Sequence, residues 1–137
     1  PAASCPYHFW SELRAMITHK QLSVAIGIFG LAVVAGGLIR YFFSADPSTN
    51  GLYFGLVMGG TALVGAVLAF VNQILLARII TGFAAAVVVL WFGYDMFKDL
   101  SHNFKITEAE IRKTIVLILG VATAVAICLP IRKRTTK

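Results

Sequence analysis

Acidic residues are scarce in this chain. Asp and Glu number six against 12 Lys and Arg in 137 residues, and charged residues make up only 13%. A soluble domain carries about 25% charged and about 45–50% apolar residues. Here 58% of the residues are hydrophobic and the mean hydropathy is +0.83. That balance excludes an ordinary soluble domain and predicts lipid as the solvent. Cysteine is also scarce. Cys5 and Cys128 form no CxxC pair, and Cys128 lies in an apolar run, which speaks for buried free thiols rather than a disulfide framework. Helices with one polar face, the mark of a soluble bundle, are absent from the long runs.

What is present is four such runs. They are "QLSVAIGIFGLAVVAGGLIRYFF" (21–43), "LYFGLVMGGTALVGAVLAFVN" (52–72), "ILLARIITGFAAAVVVLWFGY" (74–94) and "TIVLILGVATAVAICLPI" (114–131). Each is near the roughly 20 residues that a bilayer-spanning helix needs. The predicted fold is an all-α membrane protein with four transmembrane helices, spanning about 21–43, 52–72, 74–94 and 111–131, in one domain over 21–131.

Residues 1–20 place Phe9, Leu13, Met16 and Ile17 on one helical face, with Trp10 beside it. This predicts an amphipathic helix lying in the membrane interface. Asp46-Pro47 and Asn50-Gly51 mark a tight loop over 44–51. "VNQ" (71–73) is the only polar point between the second and third spans, so those two helices fold back as a close hairpin. The third connection, residues 95–113, is 19 residues long. Its "TEAE" reads as a capping box, Thr107 capping a helix that starts near Glu108 with Glu110 reaching back. Residues 132–137 form a basic tail.

Four spans put both termini on one side with the 71–73 turn. Arg14, Lys20, Arg78, Arg132, Lys133, Arg134 and Lys137 fall there, seven basic residues against five on the other side: Arg40, Lys98, Lys105, Arg112 and Lys113. The positive-inside rule then places both termini in the cytoplasm, or in the matrix of a mitochondrion. Arg40 is the twentieth residue from Gln21, about 30 Å along a helix, beside Tyr41, Phe42 and Phe43. Arginine next to aromatics is the composition of an interfacial belt, so Arg40 is expected to anchor at the boundary. Arg78 is expected to snorkel outward at the other boundary. Arg40, Arg78, Arg132, Lys133 and Arg134 are the candidate lipid-headgroup residues, and a bound anionic phospholipid, such as cardiolipin in a mitochondrion, is expected.

Between the membrane boundaries, none of the four apolar runs contains Asp, Glu, His or Lys, whereas proton- or ion-coupled carriers keep an ionisable residue at membrane depth. His8, His19 and His102 all lie outside the spans, and His8 and His19 are about 16 Å apart along a helix. No shared metal or haem, and no cofactor, is expected. There is no GxSxG, no HExxH and no glycine-rich phosphate loop, and the reading is of a chain that is not an enzyme. "GGLIRYFFS" (36–44) resembles the opening of the small four-span fluoride channels. The likeness covers nine residues, and "LYFGLVMGG" and "ITGFAAAVVV" do not supply that family's later motifs, so no family is assigned.

The positive pattern is small residues at spacing four. Gly51, Gly55 and Gly59 form a row, Gly65 continues on a nearby face, and Gly27 and Gly36 sit in similar rows of the first span. Such rows let helix backbones approach closely. The expectation is a non-catalytic accessory subunit of a larger, hetero-oligomeric membrane complex, with mitochondrial respiratory-chain or ATP synthase assemblies foremost. The alternatives are a small oligomeric channel or carrier and a lipid-handling membrane protein. No nucleic-acid partner is expected.

Overall fold

A computed structural model describes residues 17–45, 47–102 and 106–131. It contains four α-helices: α1 His19–Phe43, α2 Thr49–Phe70, α3 Ile74–Leu100 and α4 Glu108–Cys128. There is no strand among the described residues. All four helices are long and apolar enough to cross a membrane. Most of the expected N-terminal helix over 1–20 and all of the tail 132–137, with Arg132, Lys133 and Arg134, lie outside the described residues. At the junction, His19 and Lys20 belong to the first turn of α1 and not to a preceding segment.

The helix ends follow local chemistry. Thr18 and Gln21 form a full capping box at the start of α1: the Gln21 N–H donates to Thr18 Oγ1, and the Thr18 N–H donates to Gln21 Oε1. Ser48 accepts from the Gly51 N–H and starts α2 three residues before the apolar run does. Between α2 and α3, Asn72 takes a φ of 69°. The Gln73 N–H then reaches back to Leu68 O at 2.8 Å and the Asn72 N–H to Ala69 O at 3.2 Å. This is a Schellman stop, with asparagine in the left-handed position usually held by glycine.

Two expectations about the third connection need correcting. Helix α3 does not end at Tyr94 but runs to Leu100, so residues 95–100 are helix and not loop. Thr107 stands at the N-cap of α4, yet its side chain caps nothing. The expected reciprocal bond from Glu110 is replaced by one to Lys113, because a cation in reach offers a carboxylate a stronger partner than a backbone N–H.

The helices form a ring. Each packs on its neighbour in sequence, and α1 closes the ring against α4. At one end of the bundle, Leu22, Ile26, Ala66, Ala69, Ala77 and Ile127 form one buried cluster. A backbone bridge between Ile17 and Ile131 lies beside it. Further along, Phe29, Val33, Ala62, Ala85, Val88 and Val116 form a second cluster. The outer surface is covered by large apolar side chains such as Leu31, Val57, Ile79, Phe83 and Ile118. For a chain in water that would be a large liability; for one in lipid it is the required exterior.

The α1–α2 seam is the closest. An added Cβ at Gly55 would lie 2.8 Å from Gly37 Cα and 3.1 Å from Val33 O. One at Gly59 would lie 2.5 Å from Val34 Cγ2 and 2.8 Å from Gly30 O. Backbone here meets backbone, and Ser23 Oγ adds a 2.7 Å hydrogen bond to Ala66 O across the same seam. On α1 the residues at closest approach are Gly30 and Gly37. Gly27 and Gly36 are displaced from it: a Cβ there would make only ordinary 3.9 Å contact, with Ala66 and Val116 respectively. Gly65 serves the α2–α3 seam, where a Cβ would collide with Thr81 Oγ1.

Candidate functional site

At the end of the bundle away from Ile17 and Ile131, α1 ends, α2 begins, α3 runs on past the apolar level and α4 begins. A pocket of about 670 Å³ opens between the four helices there. Its inner wall is apolar: Val33 and Gly37 of α1, Phe54 and Gly55 of α2, Phe92 of α3 and Val116 of α4. Phe54 stacks on Trp91 with ring centroids 5.4 Å apart, which closes the α2–α3 side with aromatic surface. The mouth is polar, with Arg40, Ser44, Ser48 and Asn50 on one side and Asp95, Arg112 and Lys113 on the other.

The helix periods place these groups. Val33, Gly37 and Arg40 follow at spacings of four and three, so they lie on one face of α1, climbing from floor to mouth. Arg40, expected from the sequence to anchor at the boundary, is thus a wall of the pocket. Its side chain folds over the start of α2: a Cβ at Gly51 would sit 3.1 Å from Arg40 Cδ and 3.5 Å from Nε. Gly51 thus makes room for an arginine rather than for a helix backbone.

Beside the mouth lies an ion cluster that the sequence reading did not foresee. The Lys113 ammonium sits 2.8 Å from Asp95, 3.0 Å from Asp99 and 3.2 Å from Glu110. Its side chain is only 15% exposed. Asp95 and Asp99 are one turn apart on α3, and Glu110 and Lys113 nearly one turn apart on α4. The spacing of each pair was visible; that the two pairs meet depends on α3 being helical beyond Tyr94. Glu110 Oε2 is buried with no hydrogen-bond partner among the described residues.

The remaining candidates lie apart. Arg78 is at the opposite end, and its Nη2 donates to Leu129 O at 2.7 Å. It closes the C-terminal end of α4, where carbonyls lack helical partners and the dipole favours a cation. His19 and His102 stand at opposite ends of the bundle, in the first turn of α1 and just after α3. His102 faces the Ser101 hydroxyl at 3.1 Å. No group of three or more His, Cys, Asp or Glu able to hold a metal is present among the described residues.

Comparison with protein-family models, curated proteins and solved structures finds no match to this chain.

Proposed function

We propose that the chain is a non-catalytic subunit of a larger membrane complex, and that it works by packing against a transmembrane helix of another chain. One observation carries this reading. The Gly51–Gly55–Gly59 row is taken up inside the molecule, but α3 has a second set of small residues that no described residue packs against. At Gly82 and at Gly93 an added Cβ would meet nothing within 4 Å. Ala86 between them is exposed. Spacings of four and eleven put all three on one face of the helix, flanked by the exposed Ile79, Leu90 and Phe97. A groove of this kind lets a second helix approach to backbone distance, where dispersion and weak CH···O contacts hold helices together in lipid. Mitochondrial inner-membrane assemblies of the respiratory-chain or ATP synthase type are the first to test, because they take up small, basic, helical chains; that step is one of analogy.

The test uses the open space itself. Gly82→Leu and Gly93→Leu should leave the isolated bundle as stable as the wild type, since no internal neighbour is disturbed. The same variants should lose the partners that co-purify with the native protein after mild detergent extraction, read by native mass. Wild-type protein that extracts alone, or as a symmetric homo-oligomer giving ion flux in liposomes, would defeat the subunit reading and favour the channel. A second reading, that the protein handles lipid, is favoured by the pocket.

A further inference from the structure

We propose that the pocket at the Arg40 end binds an acyl-chain amphiphile with an anionic head, carboxylate or phosphate. The chain would lie along Val33, Gly37, Phe54 and Phe92, and the head between Arg40 and Arg112. This site is at the opposite end of the bundle from Arg78, and of the candidate headgroup residues read from the sequence it takes in Arg40 alone among the described residues.

Three features select that chemistry. The first is polarity graded with depth. From Arg40 down to Val33 the wall runs seven residues of α1, about 10 Å, and across that depth the facing positions are Gly55, Phe54, Phe92 and Val116. A polar solute gains nothing there, and a hydrocarbon chain gains dispersion and contact with rings. The volume of about 670 Å³ lies within the roughly 300–1,000 Å³ of small-molecule sites.

The second is charge. Arg40, Arg112 and Lys113 face Asp95 in the lining, three cations to one carboxylate. Asp95 is held by Lys113 at 2.8 Å, and Lys113 is further shared by Asp99 and Glu110. The two arginines form no ion pair among the described residues and present planar forks, which suit the two oxygens of a carboxylate or phosphate. The third is the backbone. Helices α2 and α4 both start at the mouth. The first turn of α4 carries Glu108 and Glu110, which offset its dipole, but the first turn of α2 carries no acidic residue, so the partial positive charge at the start of α2 adds to that of the arginines. The glycine at position 51 lets Arg40 fold toward this point instead of extending into the headgroup layer.

Trp91 lines the pocket and gives a direct readout. The full chain, carrying Trp10→Phe so that Trp91 is the only indole, is reconstituted in phosphatidylcholine vesicles. Quenching is measured with three brominated probes: dibromo-phosphatidylcholine, dibromo-phosphatidylglycerol and dibromostearate. At least one anionic probe should quench at a mole fraction roughly tenfold below that of the zwitterionic one, as charge-assisted hydrogen bonds would give. Preference for phosphatidylglycerol identifies a phospholipid as the occupant, and preference for dibromostearate a free fatty acid. Arg40→Gln with Arg112→Gln should remove the preference. Lys98→Gln, an exposed cation at the same membrane level but outside the pocket, should leave it intact. Gly36→Leu, which adds bulk to the apolar wall of the cavity without changing a charge, should also remove it, and it carries the test if the double arginine variant does not fold. Equal quenching by all three probes overturns the proposal. So does an equal loss with Lys98→Gln, or a preference that survives Gly36→Leu.

Discussion

Replacing Gly55 with alanine adds one methyl group at the point where α1 and α2 are closest. That methyl would lie 2.8 Å from Gly37 Cα, about 0.6–1.2 Å short of the 3.4–4 Å of ordinary contact. Val33 O at 3.1 Å and Gly37 N at 3.3 Å are also too near. All three atoms are backbone, so no rotamer change relieves the clash, and the helices must separate by about 1 Å. A radial gap of 0.5–1 Å forfeits about a quarter to a half of each pair's attraction. In lipid that loss is not offset by a hydrophobic drive. Overpacking of this kind costs about 1–3 kcal/mol, against an intrinsic gain of up to about 1 kcal/mol for alanine over glycine in a helix. Gly60 is next to this row on the same helix and provides the matched control, since a Cβ there meets nothing within 4 Å. Gly60→Ala should be neutral or slightly stabilising. The two variants should therefore differ by about 2 kcal/mol in reversible unfolding in mixed micelles, followed by circular dichroism. If Gly55→Ala proves as stable as Gly60→Ala, the backbone approach between Gly55 and Gly37 is not what holds α1 to α2.

Lys113→Met leaves Asp95, Asp99 and Glu110 facing one another without their shared cation. With Asp95 39% and Asp99 45% exposed at the side chain, screening reduces the penalty to about 2 kcal/mol, below the 3–5 kcal/mol of a fully buried pair; Lys113→Arg should restore most of it, as thermal unfolding would show. Arg78→Met removes the 2.7 Å bond to Leu129 O and should cost about 1–2 kcal/mol. Amide exchange should then quicken over residues 125–129 while α2 keeps its protection, and uniform loosening of the whole bundle would contradict the assigned role.

The sequence by itself determined that this chain makes four apolar helices, where three of their ends fall, and that glycines stand where two of them approach closely. Those are local properties. A run of about 20 apolar residues fixes a spanning helix whatever surrounds it, and the close turn at 71–73 follows from having only three residues to work with. Which face of each helix packs is another matter. Gly36 and Gly37 are adjacent, about 100° apart around α1, and either could have met α2. Only the seating of Gly55 against Gly37 selects the second. A hint was available in Leu22, Ile26, Phe29, Val33 and Gly37, which recur at spacings of three and four and turn out to be the buried face. The site was legible only in fragments. Arg40 and its level in the membrane were visible, but not the pocket it borders, because that needs Phe92, Val116 and Phe54 from three other helices. The Lys113 cluster needed α3 to stay helical past Tyr94. The polar residues of 95–100 resembled a loop in hydropathy, and only the seating of α4 beside α3 shows what they meet as a helix: a single ammonium placed between Asp95 and Asp99.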